Sequence, residues 1–545
     1  MGGNAVQHRI ALIVKNADES EICQLFLVKQ RRPDEGASGG DTDVWDVASA
    51  LLKRGGAKGT GARACESGVE EERLAKAMGN VKFNLECLGL KGFDVGDAVA
   101  QVLIQTWIHS SSDGPCKSWR YWKYIEEPAF GPGPAVHTIV FIIETFRTDD
   151  ACFSADGEWF DPHEAYNLLV SADVKKKKKR IGPLAMFVFS SHFPTGLSFK
   201  YNLSVQGQEY PPGVFVAPMA SATGKPFSKT NLVVFAPTAP LEHAIDTTAA
   251  DAFGDALICD PGCHPAAANA QLAKVVDELP RKLLVFLTHH HYDHIDGLPT
   301  VRQHNPQAII IAHQKTLKRM GKATLGLHCI AVGGSSKLLI AGQELEVIAT
   351  PGHTDGHLAL LHRITGTLLV GDHCVGQGSS VLDAMSGGNI QDYLDTCNCL
   401  LDLGPRVIIP AHGKPTLWPK HMLHTYIKHW EEREAKVLKA IEEGAKTAYE
   451  VVAQAYNDTP DAFWPAALMN VKLHIEHLDY IHKLPADFDL EEFERSATTA
   501  FYLRCFPSVT RYALHKQTRF SSSLAGGLSI VMLAAVVAYL WKKNK

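Results

Sequence analysis

The chain of 545 residues lacks several features that mark whole classes of protein. Its twelve cysteines form no C-x-x-C pair, so we expect free thiols in a reducing compartment rather than a disulfide framework. The net charge of −5 argues against a generally basic nucleic-acid coat, although it is compatible with a local basic groove. The segment Met1–Arg9 has no apolar stretch of the kind that a secretory signal requires. With 46% apolar and 21% charged residues, wholesale disorder is also excluded, and several globular domains are expected.

A dense cluster of metal-ligand side chains follows directly after an apolar run. The run Leu283–Leu287 has the length and composition of a strand. The pattern H-x-H-x-D-H comes next, and it presents four side chains from one short loop: His289, His291, Asp293 and His294. Imidazole nitrogens suit zinc, and a carboxylate among them suits a second ion beside the first. One loop supplies only part of two coordination shells, so further ligands must come from elsewhere in the chain.

Three later side chains stand in comparable positions. His353 lies in T-P-G-H-T-D-G-H, Asp372 in L-L-V-G-D, and His412 in V-I-I-P-A-H-G. Because each follows an apolar strand-like run, all three can converge at one end of stacked sheets. Three other histidines lie inside these motifs without being expected ligands, and we predict them to be neighbours of the ligands or surface residues: His290, His357 and His373.

The order of these residues resembles the five motifs of the metallo-β-lactamase superfamily. The first motif is Asp260 in L-I-C-D-P-G, a carboxylate that in this family supports the ligands without binding the metal. The resemblance implies an αββα sandwich with two Zn²⁺ per chain as cofactors. It also implies catalytic roles for Asp260 and Asp293.

The same resemblance assigns each ligand to one of two zinc ions. One ion is held by three histidines: His289, His291 and His353. The other is held by one carboxylate and two histidines: Asp293, His294 and His412. Asp372 would bridge the two ions.

The first 180 residues carry the pattern of a separate α/β domain. The runs Ile10–Val14 and Leu25–Val28 predict a hairpin, and Val136–Ile143 predicts a buried strand. This succession resembles a Nudix hydrolase fold. The stretch Arg63–Glu72 stands where that family carries its catalytic helix, but the Arg-Glu pair is missing and the glutamates are displaced. We therefore predict a domain that binds or packs and does not hydrolyse diphosphates.

A basic run, Lys175–Arg180, ends this domain. Such runs are usually solvated, so we predict a loop or helix end between domains, with contact to phosphates as the alternative. Residues 181–213 are predicted to be a linker that ends in the turn Tyr210–Gly213. The metallo-β-lactamase domain is then predicted over residues 214–415.

Helices are predicted after the fifth motif, over residues 416–490. Tyr426–Glu443 is amphipathic and is ended by Gly444, and further helices begin near Thr447 and Trp464. This arrangement resembles the small winged-helix-like extension of the lactamase-like endoribonucleases, which act on single-stranded RNA.

The endoribonuclease subgroup carries an H-R-x-x-R-E signature. Here the corresponding stretch is His429–Glu434, in which Trp430 stands in place of an arginine. Single-stranded RNA is therefore the expected partner, and three basic side chains are the candidate RNA contacts: Arg433, Lys436 and Lys472.

The C-terminus carries the one long apolar run of the chain. After a predicted linker over residues 491–523, Leu524–Trp541 is uncharged and just long enough to cross a bilayer core of about 30 Å. Lysines follow it directly, and Tyr539 and Trp541 stand where interfacial aromatic residues belong. This predicts a transmembrane tail anchor in a lipid bilayer, with the catalytic domains facing the cytosol. The target membrane stays open among the mitochondrial or chloroplast outer membrane, the peroxisome and the endoplasmic reticulum.

The expected activity is metal-dependent hydrolysis. Zinc lowers the pKa of a bound water and polarises the substrate, so neither a serine nor a cysteine nucleophile is needed. The prediction is a dinuclear zinc phosphodiesterase or endoribonuclease that acts on single-stranded RNA. Two alternatives remain: a glyoxalase II-like thioester hydrolase, which uses the same T-H-x-H-x-D-H loop, and a membrane-tethered, non-catalytic scaffold that retains zinc for stability. Members of the superfamily share the site and differ in the pocket, so the motifs alone do not identify the substrate.

Overall fold

A computed structural model provides the three-dimensional structure. It describes residues 6–16, 24–30, 43–54, 79–90, 93–106, 119–145, 153–154, 156–170, 179–190, 199, 201–238, 250–324, 326–498, 501 and 504–505. No helix within these ranges is both long enough and apolar enough to cross a bilayer. The predicted span Leu524–Trp541 and the Nudix-like stretch Arg63–Glu72 both lie outside the described residues. The chain divides into two compact units, Met1–Val381 with Asp395–His424 and Leu382–Leu394 with Thr425–Lys545.

The N-terminal part of the first unit is built on an eight-stranded mixed sheet. The strands of this part are β1 (Gln7–Asn16), β2 (Leu25–Gln30), β3 (Asp43–Asp46), β4 (Ala48–Leu51), β5 (Lys53–Arg54), β6 (Phe93–Asp94), β7 (Arg120–Glu127), β8 (Val136–Thr145), β9 (Gly157–Phe160) and β10 (Lys179–Ile181). Its helices are α1 (79–87), α2 (Val95–Thr106), α3 (Pro162–Leu169) and α4 (Pro183–Phe189). The central order is β10-β3-β2-β1-β8-β7, with β4 also paired to β1 and β9 to β2, while β5 and β6 form a ribbon of their own.

The predicted hairpin and the predicted buried strand are both present. β1 and β2 pair antiparallel, and β8 lies parallel to β1 along ten residue pairs. Side chains alternate between the two faces of a strand, so each face of β1 can pack on a different set of apolar residues. Ile10 and Leu12 pack with helix α2, whereas Ala11 and Ile13 join the core on the other face.

The prediction that the basic run is a solvated loop or helix end is wrong at Lys179 and Arg180, which form a strand, and Arg180 is not solvated. These two residues belong to β10, which pairs parallel with β3. Arg180 is only 3% exposed, and its guanidinium group donates to the backbone oxygen of Arg406. Lys179 donates to the carboxylate of Glu158 at 2.6 Å. Arg180 is buried because it packs against a segment 226 positions later in the chain, which local charge patterning cannot reveal.

The rest of the first unit contains two further sheets. The strands of the first are β11 (Gln208–Glu209), β12 (Val214–Ala220), β13 (Lys229–Phe235), β15 (Ala256–Cys259), β16 (Leu283–Phe286), β17 (Ile309–His313) and β18 (His328–Val332). Those of the second are β14 (Ala252–Gly254), β19 (Lys337–Ile340), β20 (Gln343–Ala349), β21 (Leu358–His362), β22 (Thr367–Gly371) and β23 (Val407–Pro410). The helices that follow or connect these strands are α5 (Ala266–Glu278), α6 (Tyr292–Ile295), α7 (Leu298–His304), α8 (Gln314–Met320) and α9 (Ile390–Leu403).

These two sheets pack face to face. Inward side chains from both sheets, among them Phe286 of β16 and Leu360 of β21, are fully buried in one core. The outer face of the first sheet packs on α5, α7 and α8, through residues such as Leu272 and Val301. A sheet buried on both faces needs apolar residues at every position, and β16 is buried along its whole length. The layers therefore hold the strand ends that carry the predicted ligands.

The second unit is helical in its described part. It contains most of α10 (Pro419–Glu442), together with α11 (Ala448–Ala455), α12 (Trp464–Tyr480) and α13 (Leu490–Ser496). Thr447 caps α11, because its side chain accepts from the backbone N–H of Glu450, whose carboxylate accepts in return from the backbone of Thr447. Gly444, which has a φ of +98°, follows the end of α10 as predicted.

Candidate metal centre

Asp260 and the predicted ligands all lie just beyond the carboxyl ends of strands. Asp260 follows β15 and the H-x-H-x-D-H loop follows β16, while His353, Asp372 and His412 follow β20, β22 and β23. β15 and β16 run parallel to each other, as do β22 and β23, so within each pair these ends point the same way. The sheet topology thus brings residues that are up to 152 positions apart in sequence, from Asp260 to His412, into one place.

Three imidazole rings form the first cluster. The Nε2 atom of His353 lies 3.2 Å from Nε2 of His289 and 3.1 Å from Nδ1 of His291. Together with Asp372, these residues offer ligand atoms that all lie within 4.8 Å of one another. His289 and His353 are buried, whereas His291 and Asp372 are half-buried.

One carboxylate and two imidazoles form the second cluster. Nε2 of His412 lies 3.2 Å from Oδ2 of Asp293, and Nε2 of His294 lies 3.9 Å from Oδ1 of Asp293. Ligand atoms of these three residues also fall within 4.8 Å of one another.

Asp372 lies between the two clusters. Its Oδ1 atom is 3.3 Å from Nε2 of His412 and 3.5 Å from Nε2 of His294, whereas its Oδ2 atom is 3.9 Å from Nε2 of His353. One carboxylate oxygen thus faces each cluster. This is the arrangement that a carboxylate shared by two ions requires.

The donor set fits small divalent ions. A tetrahedral zinc site with Zn–N bonds of about 2.0–2.1 Å places its ligand nitrogens roughly 3.3 Å apart, close to the spacing of the first cluster. Within the described part of the chain, Oδ1 of Asp372 and Nε2 of His294 are buried and make no hydrogen bond. Buried polar atoms are normally paired, so these two atoms are suited to a metal ion.

Residues behind the ligands fix their orientation. Oδ2 of Asp260 lies 3.0 Å from Nδ1 of His294 and accepts from the hydroxyl of Thr288 at 2.8 Å. The Nδ1 atoms of His353 and His412 lie 2.5 and 2.8 Å from the backbone oxygens of Val381 and Lys229. A carbonyl oxygen can only accept, so each Nδ1 carries the proton and each Nε2 presents its lone pair to the cluster.

The two clusters differ in the pKa values of their histidines. Burial and the neighbouring rings of His294 and His353 hold the pKa of His289 well below its usual value, so this imidazole stays neutral. Burial also lowers the pKa of His353 to about 4, against the opposing effect of Asp372. Neutral imidazole is the form that binds a metal.

In the second cluster the carboxylates set the charge. Burial opposes ionisation of Asp372, but His412 and His294 outweigh it and hold its pKa well below the usual value. Burial disfavours the charged form of His412, yet Asp372 and the hydrogen bond to Asp293 raise its pKa to about 10. The carboxylates therefore stabilise positive charge at this cluster, and a metal ion that binds here would displace protons.

Comparison with known families agrees with this geometry. The family model described as the metallo-beta-lactamase superfamily matches residues 251–412, the span that carries all five motifs. Residues 251–412 therefore have a metallo-β-lactamase fold, and we refer to them as the metallo-β-lactamase domain. A second family model, the beta-lactamase associated winged helix domain, matches residues 447–480, which contain α11 and α12.

Relatives with curated names share the metallo-β-lactamase part of the chain. A beta-lactamase-like protein 2 homolog of Drosophila melanogaster is 27% identical over 231 residues, which make up 40% of this chain and 73% of that protein. The Caenorhabditis elegans homolog of the same name is 29% identical over 36% of this chain and 64% of its own length. The match thus spans slightly less than two thirds of the nematode protein. Among solved structures, a beta-lactamase domain protein from Burkholderia ambifaria is 19% identical, with a TM-score of 0.42 over 55% of this chain and 97% of its own.

A glycine allows the chain to place the carboxylate of Asp372. Gly371 directly precedes Asp372 and has a φ of +52°, which residues with a side chain rarely adopt. A Cβ atom at this position would lie 2.6 Å from Oγ1 of Thr288 and 2.7 Å from Nε2 of His357. The motif therefore needs glycine both for its backbone angle and because Thr288 and His357 leave no room for a Cβ atom.

The histidines that were not expected to be ligands are mostly buried. His357 and His373 are 2% and 0% exposed, so the alternative that they are surface residues is wrong for these two. Nδ1 of His357 lies 2.7 Å from Oγ1 of Thr350, and Nε2 of His373 lies 3.4 Å from Sγ of Cys397. His290 is half-buried.

Two buried thiols, Cys259 and Cys374, stand next to motif residues Asp260 and His373. Burial raises the pKa of Cys259 well above its usual value, with Asp260 adding to the effect. Burial does the same for Cys374. A thiol held protonated is a poor nucleophile, so neither Cys259 nor Cys374 is suited to that role.

The three predicted RNA contacts lie in the second unit, and each has an acidic partner. Nζ of Lys436 lies 2.9 Å from Asp458, and Nζ of Lys472 lies 2.8 Å from Glu494. Arg433 lies 3.6 Å from Asp458, and its guanidinium group stacks on the ring of Tyr456 at 4.2 Å.

Trp430, which stands in place of an arginine, is a core residue. It is 3% exposed, and its ring packs on those of Tyr393 and His474 at 5.7 and 5.3 Å between centroids.

Sequence reasoning missed four residues that support the ligands. Thr288 was visible in the T-H-x-H motif, but nothing indicated that its hydroxyl bonds to Asp260. Asn231 donates to the backbone oxygens of Pro410 and Gly413, and its signal was a polar residue inside the apolar strand β13. Val381 and Lys229 act through their backbone oxygens, which leave no signal in a sequence.

Proposed function

We propose that the chain is a dinuclear zinc-dependent phosphodiesterase that cleaves single-stranded RNA endonucleolytically. The observation that carries the proposal is the pair of ligand clusters with Asp372 between them. Zinc ions held there would neutralise the non-bridging oxygens of a phosphodiester and lower the pKa of the attacking water. The chain's own residues surround the ligands: Asp260 lies 3.0 Å from Nδ1 of His294, and backbone oxygens accept from Nδ1 of His353 and His412.

The helical second unit favours RNA over a thioester. Residues 447–480 match a winged helix domain associated with β-lactamases, which supports a role of this unit in binding the substrate of the metal centre. Lys436 can reach phosphate by leaving Asp458, because this ion pair is exposed and costs little to break, roughly 0–1 kcal/mol. Arg433 is held more firmly, since it also donates to the backbone oxygen of Ala455. A thioester hydrolase has no need of these residues, so they distinguish the two activities.

Neutralising Arg433, Lys436 and Lys472 with glutamine should weaken RNA binding and flatten its salt dependence. Each lost phosphate contact should reduce the slope of log K against log salt by about 0.7 for a single strand. The measurement is fluorescence anisotropy of a labelled oligoribonucleotide over a range of salt concentrations, with zinc content measured alongside.

The matched control for these substitutions is Lys428→Gln with Lys439→Gln. Both lysines are exposed on the same helix, α10, and each pairs with a glutamate four residues later. The control should leave the slope unchanged. Brisk hydrolysis of acyl-glutathione by a protein that leaves RNA intact would instead establish the thioester hydrolase, and zinc binding without either activity would establish the scaffold.

We also propose that Leu524–Trp541 anchors the chain in a membrane by its C-terminus. Val531→Asp with Val537→Asp places two charges in the apolar run, each costing about 3 kcal/mol in a bilayer centre, and should release the protein into the soluble fraction. Deletion of residues 521–545 should do the same. Carbonate extraction of membranes measures the result, with Lys542→Gln and Lys543→Gln as the control that stays bound. A wild-type chain that carbonate already extracts would refute the anchor.

A further inference from the structure

The loop between β7 and β8 of the N-terminal sheet contacts the metallo-β-lactamase domain near the metal centre. Nζ of Lys229, on β13, donates to the backbone oxygen of Ala129 in this loop at 2.8 Å. The backbone oxygen of the same lysine accepts from Nδ1 of the ligand His412, also at 2.8 Å. One residue thus connects the loop to a metal ligand.

The loop is held in a defined position. Phe130 is 6% exposed and belongs to the core that the N-terminal sheet shares with the metallo-β-lactamase sheets. Glu127, at the start of the loop, accepts from Arg9 at 2.9 Å and from Nε2 of Gln208 at 3.2 Å. Arg9 belongs to the N-terminal sheet, whereas Gln208 belongs to the metallo-β-lactamase sheet, so the loop is fixed from both sides.

A cavity of about 140 Å³ lies between this loop and the metallo-β-lactamase domain. One wall comes from the loop and includes Phe130 and Gly133, while Gln377 and Lys414 lie on the opposite side. The second wall follows the metal motifs closely in the chain, since the N–H of Gly376 donates to the backbone oxygen of His412 at 2.7 Å.

The chemistry of the cavity differs between its wall and its rim. The loop wall consists of prolines, glycines, Val136, Phe130 and Glu127, whose carboxylate is paired with Arg9. Its apolar part suits the face of a flat ring. Gln377 and Lys414 are exposed at the rim, where an amide can bond to a ring edge and an ammonium group can bind an anion. In the described part of the chain, no carboxylate lies within ion-pair distance of Lys414. A drug-sized ligand needs roughly 300 Å³ or more, so the volume suits a single ring system.

We propose that this cavity binds a nucleobase of the substrate, with Lys414 contacting the phosphate of the same nucleotide. The inference rests on the proposed phosphodiesterase function and adds a recognition site to it. Single-stranded nucleic acids are recognised by stacking of splayed bases and by hydrogen bonds to base edges, which the two walls supply. The N-terminal domain thereby acts in substrate binding without hydrolysing diphosphates itself.

Gly133 offers a way to fill the cavity without straining the backbone. A Cβ atom built there meets nothing within 4 Å, and its φ lies outside the positive range. Gly133→Leu should therefore occupy the space that the base needs. The matched control is Gly333→Leu, since Gly333 has the same open surroundings but does not line the cavity.

The test uses the full zinc-loaded chain and two probes, adenosine 5′-monophosphate and ribose 5-phosphate, in isothermal titration calorimetry. The wild type should bind the nucleotide at least tenfold more tightly than the sugar phosphate. Gly133→Leu should remove this difference and Gly333→Leu should keep it, while Lys414→Gln should weaken both probes. If Gly133→Leu does not fold, Gln377→Trp fills the cavity from the other wall, at an exposed position.

Equal affinity of the wild type for the two probes would overturn the inference, as would a difference that survives in Gly133→Leu. A separate assay, cleavage of an oligoribonucleotide, tests the proposed function. Nucleotide binding without RNA cleavage would support the cavity and contradict the activity, whereas RNA cleavage without base preference would contradict the cavity alone. A raised KM for acyl thioesters in Gly133→Leu would contradict both.

Discussion

Replacing His289 and His291 together with alanine should abolish hydrolysis and empty the first ligand cluster. The ring nitrogens of these residues lie 3.2 and 3.1 Å from Nε2 of His353, so the double substitution removes two of three imidazoles that converge on one point. Metal-ion catalysis stabilises transition-state charge by several kcal/mol, and the rate should therefore fall by about a thousandfold or more. Metal analysis by plasma mass spectrometry and turnover of bis(4-nitrophenyl) phosphate measure the two effects.

A matched control separates loss of ligands from loss of histidine in general. His328 and His424 are exposed and lie outside the ligand clusters, so His328→Ala with His424→Ala should retain both metal content and rate. The assignment of the first cluster would be wrong if the His289/His291 variant kept its full metal content and its turnover.

Replacing Asp260 with alanine should weaken metal binding at the second cluster by about 10–100-fold. Carboxylates that orient a metal-bound imidazole typically contribute this much to affinity or activity. Asp260 lies 3.0 Å from Nδ1 of His294 and accepts from both the backbone N–H and the hydroxyl of Thr288 at 2.8 Å. Its loss leaves buried donors unpaired, which should also lower the free energy of unfolding by about 1–3 kcal/mol per donor.

Competition with a chelating dye measures the affinity of each site, and urea denaturation measures the stability. Asp255→Ala is the control, because this aspartate stands on the same segment but is exposed, and it should change neither quantity. Asp260→Asn should keep more of the stability than Asp260→Ala, since asparagine also tolerates the φ of +50° found here. Unchanged metal affinity in Asp260→Ala would show that the carboxylate does not support His294.

The ligand positions could be predicted because their signals are local. Each ligand follows an apolar run, and strands that run parallel bring such positions to the same edge. The orientation of the rings could not be predicted, since Val381 and Lys229 hold them through backbone oxygens that any residue possesses.

Sequence patterns could not predict how residues distant in the chain pack against each other. Arg180 is buried against Arg406, which lies 226 positions later in the chain, and a charge run alone indicates solvent. In the sequence, Trp430 replaces an arginine of the H-R-x-x-R-E signature. Its packing against the rings of Tyr393 and His474 depends on the fold of the second unit. Contacts between residues distant in sequence decide both cases.

A zinc titration of the chelated full-length chain tests the central claim most directly. Turnover of bis(4-nitrophenyl) phosphate is followed while zinc is returned stepwise to the metal-free protein. The two clusters joined by Asp372 predict no turnover without metal and a rise that levels off at about two equivalents per chain. Full turnover in the metal-free protein would contradict the account, and a plateau at one equivalent would contradict its dinuclear site.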